Sequence, residues 1–290
     1  MSMTSFIPDI WNANMLLAFK ENAIAANLVN REYEGDARKG NTVKVNTASA
    51  VTIYNYAIGA ANGGTSSSAK VRTTAAHATD TTSVDLNIDQ EKNFDFYVDD
   101  IDRAQAAGSM GVYTTSAGQG LAEDADKFIL AAISTAATLV RTGTGSDSTP
   151  AAITTGDQAF DVVRDLRKQL NKNHVPVGNR VLVCNAEFEA MLLSAASKLT
   201  AVDSSGSPAA LRDGLLGRLL GFDVYTSENV PETTKASCLA WYKPSYAFVS
   251  QIAETEALRG QDKFSDRLRG LHVYGGKAVR TPGIVRWINS

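Results

Sequence analysis

Apolar and polar positions along this chain follow two periods, and each period predicts its own kind of element. At 209–231 the run AALRDGLLGRLLGFDVYTSENVP sets Leu211, Leu215, Leu216, Leu219 and Leu220 at helical spacing, with Arg212, Asp213 and Arg218 off the stripe. Gly221 follows the last leucine, where a left-handed C-terminal cap takes glycine. Residues 222–225 then read as a short strand, and Val230-Pro231 closes the unit. The pattern predicts a helix, a turn and a strand packed into a core. It holds no nucleophile, no metal ligand set and no phosphate loop.

Residues 8–30 read as a helix, with Asp9 as its cap and Trp11, Met15 and Phe19 on one face. Ile24 and Leu28 extend an adjacent stripe. So wide an apolar surface needs a cover, either this chain's own core or a neighbouring molecule. Residues 41–45 alternate and read as a strand. From 46 to 83 Ala, Ser, Thr, Gly and Asn dominate, with GGTSSS at 63–68. That tract has too few large apolar groups to offset its chain entropy. Yet Val51, Ile53 and Val71 keep strand character. Two readings stay open: a disordered insertion, or a long β-hairpin that packs on other copies, since such arms are marginal alone.

Strict alternation returns at 83–89, with Val84, Leu86 and Ile88 on one face, and Phe94, Phe96 and Val98 continue it. Residues 118–140 form the longest helix candidate, a span of roughly 35 Å, with Leu121, Ala125, Phe128, Ile129, Ala132, Ile133, Ala136 and Leu139 as its stripe. Thr155 and Gln158 make a capping box for a helix that buries Phe160, Val163, Leu166 and Leu170. Val181, Leu182 and Val183 read as a buried strand, and Asn185 caps a helix carrying Phe188, Met191 and Leu192. A strand follows at 238–242, another short element at 246–252, and strands at 265–274, 277–280 and 284–288, with a turn at Gly275-Gly276. The second half is thus a mixed unit of helices and strands.

Composition changes this picture little. The 290 residues carry a net charge of −3 and 44% hydrophobic residues, enough for a sizeable core. Residues 1–150 hold 11 Lys/Arg against 17 Asp/Glu, and 151–290 hold 17 against 14, so the chain as a whole is no general nucleic-acid binder. Cys184 and Cys238 sit in apolar strand-like runs and read as buried free thiols, with a disulfide left open. There is no signal-peptide pattern at MSMTSFIPD and no apolar run of the ~20 residues a membrane helix needs.

The pattern GRLLGFDVY, then a polar loop and Val-Pro, resembles the major capsid proteins of tailed phages with the Hong Kong 97 capsid fold. The order of parts extends the resemblance along the chain. It implies an α+β fold with an N-terminal arm at 1–40, an extended β-hairpin loop at 41–100 and a peripheral domain with a long spine helix at 101–150. A mainly axial domain follows at 151–250, and peripheral return strands at 251–290. It also implies hexamers and pentamers tiling an icosahedral head around double-stranded DNA, with a portal protein as partner. No long helical prefix precedes the arm, so a separate scaffolding protein is expected. Trp11, Met15, Phe19, Val51, Ile53 and Lys70 are the expected contacts between subunits. Lys70 is the one crosslink candidate; with no partner in view, no crosslink is expected. Alternatives are an encapsulin-type compartment shell and a soluble enzyme or ligand-binding module.

No catalytic pattern competes. There is no Gly-x-Ser-x-Gly elbow, Gly276-Lys277 lacks the earlier glycine of a phosphate loop, and Gly143-Thr144-Gly145 lacks the third glycine of a dinucleotide motif. His77, His174 and His272 are isolated from metal-ligand spacing. Asp85, Asp89, Glu91, Asp95, Asp99, Asp100 and Asp102 do not follow the calcium-loop pattern and read as a solvated strand face. Arg267, Arg269, Lys277, Arg280 and Arg286 alternate with apolar residues, either as a wet sheet face or as contacts for DNA phosphates or acidic neighbours. No cofactor, metal or catalytic residue is expected.

Overall fold

The computed structural model describes residues 20–35, 40–48, 51, 53, 81–100, 111–140, 152–194, 217–232, 234–259 and 263–289. Its strands are β1 (Thr42–Ala48), β2 (Thr81–Asn87), β3 (Gln90–Asp99), β4 (Thr138–Leu139), β5 (Arg180–Cys184), β6 (Arg218–Leu219) and β7 (Phe222–Thr226). After them come β8 (Ser237–Tyr242), β9 (Tyr246–Arg259), β10 (Ser265–Ala278) and β11 (Ile284–Ile288). The helices are α1 (Gly111–Ala136), α2 (Gly156–Lys172) and α3 (Ala186–Leu192). They build a six-stranded sheet ordered β4-β11-β8-β5-β7-β6, a three-stranded sheet β3-β10-β9 and the two-stranded ribbon β1-β2.

The six-stranded sheet is covered on both faces. Every residue of β5 is buried, which explains its continuous apolar run. Period two then sorts the side chains between two cores. Leu182, Cys184, Cys238, Ala240, Val285 and Trp287 pack with α2 and α3. Val181, Val183, Leu239, Trp241 and Ile284 pack with Ile129, Leu130 and Ile133 of α1. On α2, Val162, Val163, Leu166 and Leu170 are fully buried. At ~1.5–3 kcal/mol each, this burial outweighs the intrinsic helix preference of the segment. The Gln158 side chain accepts the Thr155 N–H as the capping box requires, and Asn185 Oδ1 accepts the Phe188 N–H at 3.1 Å.

Helix α1 also serves the three-stranded sheet. Phe128 meets Tyr274 of β10 edge-on, with centroids 5.4 Å apart, and Tyr274 donates to Asp124 Oδ2 at 2.6 Å. A third, smaller cluster of Leu86, Ile88, Ala247, Val249 and Val273 seats the base of the ribbon on β9 and β10. At that seat a Cβ on Gly275 would stand 2.1 Å from the Asn87 carbonyl oxygen.

Several expectations need correction. Residues 217–220 are not helical. Arg218 pairs with Asp223 and Leu219 with Phe222, and Leu220 and Gly221 have φ of 47° and 83°. Two positive φ values in a two-residue connection make the tight hairpin of twisted antiparallel strands, so Gly221 is a turn residue rather than a cap. The remainder of that predicted helix, 209–216, lies outside the described residues. Gly275-Gly276 is not a turn: β10 runs straight through it, with a register shift at Val273/Tyr274. The glycine there permits close approach of the ribbon. Helix α1 begins at Gly111 and ends at Ala136, where the chain turns into β4. Of the helix read at 8–30, the described part holds only the single turn Ala25–Asn27.

Gly275→Ala is expected to cost about 3 kcal/mol, the upper end of the overpacking range, because the clashing atom is backbone. Gly118→Ala, in α1 with open space around it, is expected to stabilise by up to about 1 kcal/mol. Urea unfolding of the two variants checks the opposite signs.

Candidate assembly surfaces

Of the residues expected to meet other subunits, Val51 and Ile53 are described, and they are 75% and 93% exposed. They lie just beyond β1. Trp11, Met15, Phe19 and Lys70 lie outside the described residues. The ribbon that leads to Val51 pairs in register from Thr42↔Asn87 to Ala48↔Thr81. Its base is anchored, since Val45 and Leu86 are buried and the Ile88 N–H bonds the Asn41 carbonyl. Toward the far end, Asn46, Ala48, Thr81, Thr82 and Ser83 are exposed. Burial therefore falls away along the ribbon while strand-forming side chains continue.

The segment 20–30 behaves otherwise. Ile24 and Leu28 join this chain's own core with Trp241 and Tyr246. Lys20 Nζ reaches the Ser116 carbonyl at 2.8 Å, and Trp241 Nε1 donates to the Leu28 carbonyl at 2.9 Å. Own-core packing thus accounts for the second stripe of the predicted arm.

The outer face of the three-stranded sheet is charged and largely self-paired. Arg267 forks onto Asp95 across the strands, Arg269 onto Glu256, and Arg259 onto Asp100 and Asp266. The Arg267 hydrogen bond holds the Asp95 carboxyl below its ordinary range, and Asp95 in turn raises the Arg267 guanidinium. The Arg267–Asp95 and Arg269–Glu256 pairs floor an open groove of about 360 Å³ that includes Asn93, Glu254 and Leu271. Exposed pairs of this kind contribute only ~0–1 kcal/mol each to folding. They leave the sheet face near neutrality, which weakens the reading of Arg267 and Arg269 as phosphate contacts. Arg286 bonds Ser134 Oγ, whereas Lys277 and Arg280 are exposed. Asp102 lies outside the described residues.

The buried titratable side chains among the described residues include both cysteines. Cys184 and Cys238 are cross-strand partners and free thiols. Burial pushes the Cys184 thiol up to about 12 and the Cys238 thiol well above its ordinary value, so both stay protonated. His272 Nε2 lies 3.0 Å from Ser250 Oγ, and Lys92 stands opposite it on β3. Desolvation lowers the His272 pKa, partly opposed by Asp124. Among the described residues no group of His, Cys, Asp and Glu is arranged to hold a metal ion, and no helix is long and apolar enough to cross a membrane.

By sequence Asp126 sits with Glu123 and Asp124 near a helix N-terminus, but α1 starts at Gly111, so it stands mid-helix, and its role as a buried acceptor went unread. It is 1% exposed on α1, and its two oxygens take N–H groups from Ile24, Ala25 and Asn229. Its only mark in the sequence is a carboxylate among apolar neighbours near Ala125 and Ile129, which also fits the start of a helix.

The comparisons fit this geometry. The family model "Phage capsid protein" matches residues 81–287. A solved structure from Mycobacterium phage Che8 is 44% identical, covers 99% of this chain and 98% of its own, and superposes with a TM-score of 0.85. The capsid structure of Cyanophage P-SCSP1u is 15% identical over 99% of this chain and 94% of its own, at 0.78. The mature capsid of bacteriophage PhiM1 is 13% identical over 98% and 92%, at 0.70. No curated protein matches the chain. The fold is the Hong Kong 97-type shell fold, and the chain belongs to the phage capsid protein family. It is a major capsid protein of a tailed phage, a building block of the icosahedral head, and these matches favour the head over a compartment shell.

The His272 pKa is lowered on folding, so its neutral form is favoured in the folded state. That contribution is present above the unfolded value of about 6.5 and is lost as pH falls through the folded one. Between pH 7.5 and 5, the fall in melting temperature should be smaller for His272→Gln than for wild type. Equal falls would contradict the assignment.

Proposed function

We propose that each chain takes its place in hexamers and pentamers by laying the end of the β1-β2 ribbon on a neighbouring copy. The observation that carries this reading is the exposure of Val51 and Ile53 at the end of a ribbon whose base is buried. A two-stranded arm is marginal in water alone, and a copy of the same subunit offers cover on every side of a ring. The contact is heterologous, so it repeats, and many modest contacts sum to a stable shell. Trp11, Met15 and Phe19 are the proposed contacts of the leading arm.

In this reading the catalytic role is none. The division into arm at 1–40, extended loop at 41–100, peripheral domain with spine helix at 101–150, axial domain at 151–250 and return strands at 251–290 belongs to the same proposal. Pairing of β3 with β10 and β9 supports a peripheral unit, while β11 re-enters the six-stranded sheet beside β8. The proposed partners are a separate scaffolding protein, a portal protein and packaged double-stranded DNA held by non-specific contacts. Exposed Lys277 and Arg280 are the described cations best suited to phosphate contact. The proposed site of assembly is the bacterial cytoplasm, with the finished protein in the virion. Lys70 forms no crosslink.

The double variant Val51→Asp with Ile53→Asp tests the ribbon contact. Both side chains are already exposed, so the melting temperature of the unassembled chain should stay within about 2 °C of wild type. Sedimentation should show shells replaced by small species. Shells at wild-type yield would overturn the reading.

A further inference from the structure

The segment 20–30 is a strap that crosses three structural bodies. It begins on α1, where Lys20 reaches the Ser116 carbonyl. It passes Asp126, also on α1, so it runs in the helix's own direction. It then touches the six-stranded sheet at Trp241 and ends on the three-stranded sheet. There the Asn30 N–H bonds the Tyr246 carbonyl, and the Phe248 N–H bonds the Asn30 carbonyl.

Most of these bonds use the strap's backbone, so its side chains alone do not hold it. The exception in chemistry is Asp126. Its Oδ1 accepts the Ile24 N–H at 2.8 Å and the Ala25 N–H at 2.6 Å, and its Oδ2 accepts Asn229 Nδ2 at 2.9 Å. The carboxylate is buried, and among the described residues no Lys or Arg forms an ion pair with it. A buried carboxylate needs its hydrogen bonds, and charge-assisted ones are strong. Two of its three donors belong to the strap. Lifting the strap removes both at once and leaves the buried charge with Asn229 alone. Partial release is therefore disfavoured, and the strap is seated or free as a unit.

We propose that Asp126 is the latch of this strap: by binding the Ile24 and Ala25 peptide groups it holds residues 20–30 in place along α1 and across both sheets. The latch is a positioning device, and it does not depend on the ribbon contact proposed above.

Amide hydrogen exchange on the unassembled full-length chain tests it. Asp126→Leu keeps the bulk and removes every acceptor. Peptides covering 24–29 should then exchange about ten-fold faster or more, while α2 and β5 keep their protection. Asp126→Asn should rescue, because its oxygen still takes the two peptide N–H groups and its amide donates to a turned-over Asn229. Wild-type protection of 24–29 in the leucine variant would overturn the latch. So would a uniform rise across the chain in a folded variant. If the leucine variant does not fold, Trp241→Phe serves instead. It removes the bond to the Leu28 carbonyl and leaves an aromatic ring in the core. Faster exchange confined to 24–29 supports the strap as a unit, and unchanged exchange there overturns it.

Discussion

Strands β5, β8 and β11 have no solvent face, and this constraint organises the molecule. Their side chains alternate between two cores, so the six-stranded sheet is stable only when covered twice. Helix α2 covers one face and uses itself up in doing so. Helix α1 covers the other and, through Phe128 and Asp124, also holds β10 of the second sheet. One long helix is thus shared by two sheets. The ribbon departs from that helix, and the residues just beyond β1, Val51 and Ile53, stand exposed.

The division of labour follows from where apolar burial runs out. At its base the ribbon inserts Leu86 and Ile88 beneath β9 and β10, and glycine at 275 lets the backbones approach. A few residues beyond β1, Val51 and Ile53 are exposed, and none of the described residues covers them. The outer face of the three-stranded sheet shows the contrary design. Its arginines already have carboxylate partners, so it can lie beside a neighbour or solvent at little electrostatic cost. A shell subunit needs both kinds of surface: adhesive edges, and broad faces that do not bind indiscriminately.

Much of this was legible in the sequence. The alternation at 83–89 and the continuous apolar runs at 181–183 and 238–242 became strands, the first ending at Asn87, and the Thr155/Gln158 and Asn185 caps stand where their side chains placed them. Leu219 and Leu220 misled, because leucines at helical spacing also occur where one residue enters a strand and the next makes a tight turn. Gly275-Gly276 misled for a related reason. Glycine serves both for positive φ and for close packing, and only the opposing Asn87 backbone distinguishes the two. The role of Asp126 was hidden because two of its three donors are peptide N–H groups and all three lie roughly a hundred positions away, which leaves no local pattern in side-chain identity.

The central claim is that copies of this chain complete one another at the exposed end of the ribbon. Electron cryo-microscopy of particles assembled from the wild-type chain tests it most directly, by showing what stands against Val51 and Ile53. The account predicts that both side chains are buried on an adjacent subunit of the same ring. A closed shell in which they still face solvent would contradict it.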